Sequence, residues 1–362
     1  MPTFNLDNIL SQFLIEGKVE TVKPLGNGLI NDTFRVVTEG DAPDYVLQRI
    51  NNNIFTDVDL LQHNIEAVTG HIRRKLEAAG ADDIDRKVLR FVATQQGKTY
   101  YLDNEGRYWR VSVFIPDAVT YEQVDPTSSR NAGKAFGEFE SMLVDLPEQL
   151  GETIPDFHNM ELRARQLQEA IEQDKAGRVA GVADIIADLQ KDMYEMCKAE
   201  RLFREGKLPK RICHCDTKVN NMMYDKQGNV LCVIDLDTVM PSFVFSDYGD
   251  FLRTGANFVA EDDPKIENVG FNQDIFRAFT EGYIESARSF LTPVEAENLP
   301  YAVALFPFMQ CVRFFADYLN GDTYYKIAYP EHNLVRTRNQ QALYHRVTDN
   351  YDMMDNFIRT LI

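Results

Sequence analysis

The chain has 362 residues, of which 44% are hydrophobic and 26% charged, and its net charge is −18. It is long enough for a substantial core and for two lobes. The acidic excess repels phosphate backbones and anionic lipids, which argues against nucleic acid and membranes as partners. The cysteines, 5 in number, do not make a disulfide framework, and the first residues lack the features of a signal peptide. We therefore expect a cytoplasmic protein.

Residues 1–115 predict an antiparallel sheet that carries one main helix. A short amphipathic helix opens the chain and stops at Gly17. Apolar residues at helical spacing from 58 to 76 predict a long helix that ends at Gly80. Runs of β-branched and aromatic residues between turn residues predict strands at 19–25, 32–38, 45–50, 88–94, 99–102 and 107–114.

Residues 116–362 are predominantly helical by pattern. Short apolar runs around tight turns predict a small β insert, with strands at 211–213, 221–224 and 230–234. The most apolar stretch, 300–319, fits a buried helix better than a transmembrane one, because it is interrupted by Pro307, Gln310, Arg313 and Asp317. The sequence therefore predicts an α+β fold with two lobes, 1–115 and 116–362.

The β insert carries the residues that point to chemistry. His214, Asp216, Lys218 and Asn221 form the pattern H-x-D-x-K-x-x-N, and Asp235 follows after a hairpin-like return. Phosphoryl transfer needs a group that orients a hydroxyl, oxygen ligands for Mg²⁺ and a cation for the developing charge. Asp216 fits the first task, Asn221 and Asp235 the second, and Lys218 the third.

Other interpretations exist for these residues. Asp and Asn between strands commonly form turns by bonding their own backbone, although this whole set of spacings favours a site. Asp237 fits either a metal or substrate role or a loop hydrogen bond. We expect His214 to shape the loop rather than act as a base. Cys213 and Cys215 are too closely spaced for a zinc site and are expected to be small buried residues.

The segment HCDTKVNN resembles the catalytic loop of eukaryotic-type kinases and of the aminoglycoside phosphotransferase family, and IDLD resembles the metal-binding segment that follows it. Over nearly its whole length, from GNGLINDTF to DYLNGDTYYKIAYPEHNLVRTR, the chain resembles bacterial N-acetylhexosamine 1-kinases. The resemblance implies a bilobal, protein-kinase-like fold with a nucleotide-binding N-terminal lobe. It also implies phosphorylation of the anomeric hydroxyl of N-acetylglucosamine or N-acetylgalactosamine with ATP and Mg²⁺.

The same resemblance assigns the residues that hold the nucleotide phosphates. It places a phosphate-covering turn on Gly26, Asn27 and Gly28, with Asn31 and Thr33 on the strand that follows. Small residues let backbone N–H groups approach an anion, and the side chains add donors. By itself, G-N-G is also typical of a plain hairpin turn.

The strand YVLQRI departs from the usual kinase pattern. Where many kinases carry a phosphate-binding lysine, this chain has Gln48, and Arg49 points to the other face. Glu66 matches the glutamate of the family and either bonds Gln48 or is a solvated helix charge. By resemblance, the backbone around Val113 and Ile115 meets the adenine.

The helical lobe is expected to supply the substrate contacts. Arg313 lies in an apolar helix, so it either pairs with Asp317 or faces a polar cavity. The resemblance places sugar recognition there, with Asp216 and Asp237 as further substrate contacts, and it predicts that Asp247 braces the catalytic loop. Polar and aromatic residues cluster just after Arg313: Tyr318, Tyr324, Tyr325, Tyr329, His332 and Arg336.

Two classes of function remain. The first is a kinase that uses ATP and a free amino sugar, with another sugar or an amino alcohol as a variant. The second is a kinase-shaped nucleotide-binding protein without turnover, which the neutral Gln48 favours. A protein kinase fits less well, because IDLD replaces D-F-G and no A-P-E segment follows.

Overall fold

The computed structural model describes residues 4–26 and 30–362. The chain divides into two compact units, each assembled from several segments. The first unit contains Met1–Val119, Asp145–Pro155 and Met223–Val239. The second contains Thr120–Val144, Asp156–Met222 and Met240–Ile362.

The first unit is built on a five-stranded antiparallel sheet with the order β1-β2-β3-β5-β4. Its strands are β1 (Val19–Pro24), β2 (Asp32–Thr38), β3 (Tyr45–Ile50), β4 (Tyr101–Leu102) and β5 (Tyr108–Val113). Its helices are α1 (Leu6–Leu10), α2 (Val58–Ala78) and α3 (Ile84–Lys87). On the face of the sheet near α1, a core forms around the fully buried Trp109 and its neighbours Val36, Leu47 and Val111.

Helix α2 begins and ends where its sequence directs. The Asp57 side chain accepts from the backbone N–H of Leu60 and caps the first turn. Leu61, Ile65 and Val68 are fully buried along one stripe. Gly80, with φ +65°, follows the end of the helix in the left-handed region that glycine adopts without strain.

The predicted strand at 88–94 does not form a regular strand. Only single bridges occur there, between Phe91 and Ser112 and between Phe13 and Thr94. Strand β5 already pairs with β3 along its length and with β4 at its start. On β5 the segment therefore reaches only the later part of the strand, where Val92 donates to the carbonyl of Val111 and Val113 donates to the carbonyl of Arg90.

The second unit is predominantly helical. Its helices are α4 (Pro126–Leu143), α5 (Met160–Gln173), α6 (Ala183–Met196), α7 (Lys198–Arg204), α8 (Phe245–Gly255), α9 (Gln273–Ala287), α10 (Pro293–Glu297), α11 (Leu299–Leu319), α12 (His332–Thr348) and α13 (Tyr351–Arg359). Its small sheet pairs β6 (Arg211–Cys213) with β9 (Met240–Ser242). A further two-stranded sheet joins β7 (Met222–Tyr224) to β8 (Val230–Val233), and from Met223 onward it belongs to the first unit.

By length and composition alone, α11 could cross a bilayer, but it is mostly buried inside the protein. Such burial is typical of a core helix, as the sequence predicts for 300–319. The predicted α+β fold is confirmed: an antiparallel N-terminal sheet with one main helix, then a helical part with a small β insert. The division of the chain into lobes at residue 115 stays a prediction.

Candidate active site

The loop after β6 holds the H-x-D-x-K-x-x-N residues in a conformation fixed by one buried carboxylate. The Asp247 oxygens accept from the backbone N–H groups of His214 and Cys215, each at 2.7 Å. The Thr217 hydroxyl donates to the carbonyl of Asp247 at 2.8 Å. Cys215 has φ +61°, which an L-residue adopts only when its surroundings hold it. Asp247 thus braces this loop in the way that the resemblance predicts.

The His214 ring lies inside the second unit and is fully buried. Its centroid lies 5.8 Å from that of Phe136 and 6.0 Å from that of Phe139. Its Nδ1 accepts from the backbone N–H of Asp216 at 3.3 Å. These contacts fit the expectation that His214 shapes the loop.

Two polar residues of the motif, Lys218 and Asn221, meet at the Asp216 carboxylate. Lys218 Nζ lies 2.7 Å from Asp216 Oδ1 and 2.9 Å from Oδ2. Asn221 Nδ2 donates to the carbonyl of Asp216 at 2.7 Å and lies 3.2 Å from its Oδ2. The Asp216 side chain keeps 24% of its surface exposed, so an incoming hydroxyl can reach it. Because its amide nitrogen faces Asp216, Asn221 has its hard oxygen available as an acceptor.

Burial raises the pKa of Asp247 to about 6, against the opposing effects of His214 and of the backbone N–H donors. At neutral pH the carboxylate is therefore ionised and can accept from both N–H groups. Burial also raises the pKa of the Cys213 and Cys215 thiols well above their usual value. Both thiols are accordingly protonated and buried, in agreement with the sequence interpretation.

The segment IDLD belongs to the first unit. Asp235 has φ +59° and ψ +55°, a left-handed conformation that is unusual for a residue with a Cβ. Two residues later, Asp237 is 3% exposed. Its Oδ1 lies 2.5 Å from Arg110 Nη1, and its Oδ2 accepts from Asn31 Nδ2 at 2.7 Å. The assignment of Asp237 to substrate contact is therefore corrected: its carboxylate is committed to internal partners.

Gln48 lies opposite Arg110 in the register of β3 and β5. Its Oε1 accepts from Arg110 Nε at 2.9 Å, and its Nε2 donates to the Thr33 hydroxyl at 3.3 Å. The buried cation of this sheet face thus comes from β5 rather than from β3. The sequence signal for this buried cation is Arg110 itself, a charged residue in the otherwise apolar strand YWRVSV.

Glu66 does not accompany Gln48. Among the residues that the structure describes, its carboxylate contacts the Thr99 hydroxyl on the exposed side of α2. One turn earlier, the buried Gln62 places its Oε1 3.4 Å from Arg110 Nη1. Of the two interpretations of Glu66, the structure favours the solvated helix charge.

The remaining residues predicted to bind nucleotide give a mixed result. Asn27 and Gly28 lie outside the described residues, and Gly26 has φ +67°. Ile115 is buried. The backbone N–H of Val113 donates to the carbonyl of Arg90 at 2.9 Å, so this N–H is committed within the sheet.

A cavity of about 460 Å³ lies in the second unit beside the catalytic loop. Its lining includes Lys218, Arg253, Phe258 and Glu261. Arg253 Nε lies 3.0 Å from Asp250 Oδ1, and its Nη1 lies 2.7 Å from Glu261 Oε2. One guanidinium is thus paired with both carboxylates. No local sequence pattern indicates this cavity, because its wall is assembled from segments that are distant in the chain.

Arg313 is half-buried among aromatic rings rather than paired with Asp317. Its Cζ lies 5.3 Å from the ring centroid of Phe157 and 5.8 Å from that of Tyr325. Its Nη1 donates to Gln310 Oε1 at 3.1 Å. The Asp317 carboxylate instead accepts from the backbone N–H groups of Thr323, Tyr324 and Tyr325 and from the Asn333 amide.

A second guanidinium lies close to Arg313. Arg163 donates to the carbonyls of Asp156 and Phe157 at 3.1 and 2.7 Å. Burial and the charge of Arg313 lower the pKa of Arg163 to about 10. Burial and the same charge lower the pKa of His158 well below its usual value, and Arg253 adds to this effect. The charges of Arg313, Arg163 and Arg253 thus all disfavour the protonated form of the buried His158.

A sequence profile of the phosphotransferase enzyme family (APH) matches residues 21–283, more than half of the chain. The chain belongs to this family. Its similarity to solved structures is far higher in fold than in sequence. An aminoglycoside phosphotransferase from Alicyclobacillus acidocaldarius superposes with a TM-score of 0.63 at 13% identity, with 98% of each chain covered.

Two more solved structures share the fold of this phosphotransferase. Spectinomycin phosphotransferase, in complex with ADP and spectinomycin, has a TM-score of 0.54 at 13% identity and covers 100% of this chain and 99% of its own. A choline kinase from Cryptosporidium parvum has a TM-score of 0.54 at 12% identity, with 94% and 92% covered. The kinase-like fold expected from the sequence is thereby confirmed.

Proposed function

We propose that this phosphotransferase transfers a phosphoryl group from ATP, with Mg²⁺, to the anomeric hydroxyl of an N-acetylhexosamine. The observation that carries the choice of acceptor is the contact of Arg313 with the rings of Phe157 and Tyr325, beside Arg163, which donates to the carbonyl of Phe157. Among the described residues, no carboxylate lies within ion-pair distance of either guanidinium. The cluster therefore offers donors and apolar faces but no negative charge.

Such a cluster suits a neutral, oxygen-rich acceptor. The C–H face of a sugar packs on aromatic rings, and hydroxyl and acetamido oxygens accept from guanidinium groups. A cationic acceptor would need carboxylates, but Glu261 in the cavity lining is already paired with Arg253. This charge pattern favours a sugar over the amino alcohols named for the choline kinase that shares the fold.

In the proposed reaction Asp216 accepts a hydrogen bond from the acceptor hydroxyl and orients it toward the phosphate. An anomeric hydroxyl is more acidic than an ordinary alcohol, so a weak base suffices. Lys218, held at 2.7 Å from Asp216, adds a cation where negative charge develops.

Asn221 and Asp235 are the residues that we propose as ligands for Mg²⁺. An amide oxygen and a carboxylate are hard donors, which suit this ion. When bound, Mg²⁺ would neutralise the phosphate charges, and this allows an acidic protein to hold ATP. The ADP in the spectinomycin phosphotransferase complex supports an adenine nucleotide as co-substrate. The assignments of both ligands, and of Asn31, Thr33 and Gln48 to the nucleotide, stay predictions.

An acceptor panel tests the proposal. The purified protein is incubated with Mg²⁺, ATP and, separately, N-acetylglucosamine, N-acetylgalactosamine, other hexoses, choline, ethanolamine and an aminoglycoside, and phosphate is located by phosphorus NMR. We expect anomeric phosphates from the N-acetylhexosamines. Transfer only to the cationic acceptors would overturn the choice of substrate but not the phosphotransferase activity.

Replacement of Arg313 tests the cluster directly. We expect Arg313→Ala to raise KM for the sugar about tenfold or more, since a hydrogen bond from a charged group is worth about 1.5–3 kcal/mol. A matched control is Arg277→Ala, because Arg277 Cζ lies 4.6 Å from the Phe357 ring in the same unit. Equal sugar kinetics in the two variants would remove Arg313 from the acceptor site.

A further inference from the structure

Arg110 occupies a position in the first unit where a charge is costly. It is 2% exposed and lies across β3 and β5 from Gln48. Its Nε and Nη1 atoms are directed to three side chains, at 2.9 Å to Gln48, 3.4 Å to Gln62 and 2.5 Å to Asp237. These partners come from β3, α2 and the turn after β8, so one guanidinium connects three parts of the unit.

The turn after β8 is anchored at several points beyond Asp235. Asp237 Oδ1 is paired with Arg110, and its carbonyl accepts from the Thr153 hydroxyl at 2.9 Å. The carbonyl of Val239 accepts from Asn64 Nδ2 at 2.8 Å. Between β8 and these anchors, the left-handed Asp235 needs support from its surroundings.

A buried ion pair such as Arg110 and Asp237 adds little to the net free energy of unfolding. Desolvation of two buried charges offsets most of their attraction, and apolar replacements are often neutral or stabilising. The geometry of Arg110 and Asp237 has another consequence: it fixes the backbone two residues from the proposed metal ligand. A shift of about 1 Å in a ligand weakens a metal site, since the supporting side chains set its precision.

We propose that Arg110 is a positioning residue: through its buried ion pair with Asp237 it fixes the turn that presents Asp235 to Mg²⁺. Arg110 on β5 supplies the buried positive charge that β3, with its neutral Gln48, does not supply. Because its Nε and Nη1 atoms contact Gln48, Gln62 and Asp237, we infer that Arg110 acts through Asp237 and not on the nucleotide. This inference rests on the proposed function, which makes Asp235 a metal ligand.

The test measures the Mg²⁺ concentration that half-saturates binding of a fluorescent ADP analogue. The main variant is Arg110→Gln with Asp237→Asn, which removes both charges and leaves neither one buried alone. Arg110→Lys keeps the charge but loses the planar fork. The control is Arg35→Gln with Asp44→Asn, an ion pair of the same sheet with an Nη2–Oδ2 distance of 2.8 Å and a 43% exposed arginine.

We expect the half-saturating Mg²⁺ concentration to rise about tenfold or more in both Arg110 variants and to stay at the wild-type value in the control. Wild-type Mg²⁺ dependence in the double variant overturns the inference. If the double variant does not fold, Arg110→Lys decides in the same way. A wild-type protein that binds no Mg²⁺-nucleotide overturns the proposed function, and this inference with it.

Discussion

At the scale of single residues, the conformation of the catalytic loop depends on the buried carboxylate of Asp247. Asp247 is fully buried, yet its two oxygens satisfy the backbone N–H groups of His214 and Cys215. Those N–H groups would otherwise be orphaned in a left-handed stretch of chain. The backbone hydrogen bonds of the loop favour the ionised carboxylate, whereas burial disfavours it. The contribution of Asp247 to the free energy of unfolding therefore depends on pH.

We expect the stability difference between the wild type and Asp247→Asn to depend on pH. The folded pKa of Asp247, about 6, lies above its usual 3.8. Its contribution is therefore fully present below about pH 4 and is lost as pH rises through about 6. Two pKa units correspond to about 3 kcal/mol. Urea unfolding of both proteins between about pH 4 and 7 checks this, and a pH-independent difference would contradict it.

Asp216→Asn tests the proposed base. We expect kcat to fall by about 10²–10⁴-fold, while Mg²⁺-dependent nucleotide binding is retained. Asp225→Asn is the matched control, because Asp225 is a partly exposed acid that accepts from the backbone of Gln227 and Asn229 in the β7–β8 turn. Full turnover in Asp216→Asn would remove this residue from the mechanism.

At the scale of elements, α4 and α9 pack backbone to backbone through glycines. A Cβ on Gly133 would lie 2.1 Å from the carbonyl oxygen of Phe279, and one on Gly282 would lie 2.0 Å from that of Arg130. Both approaches are far below van der Waals contact with rigid backbone. This contact positions Phe136 and Phe139 of α4 against the His214 ring. The packing of α4 against α9 thereby helps to hold the His214 ring of the catalytic loop in place.

Gly133→Ala should therefore destabilise the protein. We expect a loss of about 1–3 kcal/mol or more in the free energy of unfolding, because backbone cannot move aside cheaply. Gly181→Ala is the control, since a Cβ there meets nothing within 4 Å. Denaturant unfolding of both variants measures the difference. A stable Gly133→Ala variant would show that the helices can separate without cost.

At the scale of the molecule, the residues that the sequence predicts for the site are divided between the two units. Asp216, Lys218 and Asn221 belong to the second, whereas Asp235 belongs to the first with Gln48 and Arg110. The segment Met223–Val239 belongs to the first unit although most of its sequence neighbours do not. Ligand binding is thus expected to affect the stability of the whole protein.

We expect Mg²⁺-ADP to raise the melting temperature of the wild type by several degrees. A ligand at 100 times its Kd adds about 2.7 kcal/mol to the stability of the folded state. Thermal unfolding with and without a chelator measures the effect. Asp235→Ala should abolish the Mg²⁺-dependent part of the shift and Asp216→Asn should keep it. The same shift in Asp235→Ala would contradict the assignment of this metal ligand.

Particular residues show how far sequence reasoning reaches. The spacing of His214, Asp216, Lys218 and Asn221 was informative because all four lie in one short loop, where spacing nearly fixes geometry. The partner of Glu66 is harder to predict from the sequence, because a position in a helix indicates the turn on which a residue lies but not the strand residue that it contacts. Gln62, one turn earlier, faces the sheet interior.

Local pattern thus determined most of the elements, though not the strand predicted at 88–94, together with the α+β class and the loop that carries Asp216. Hydrophobic period, turn residues and motif spacing act over short stretches of chain. Tertiary structure alone decided that Arg110 pairs with Asp237, 127 positions later by their residue numbers. It also decided that Arg313 faces Phe157 and Tyr325 rather than Asp317. A buried charge pairs with a group that the fold brings close to it, and no local sequence pattern encodes which groups come close.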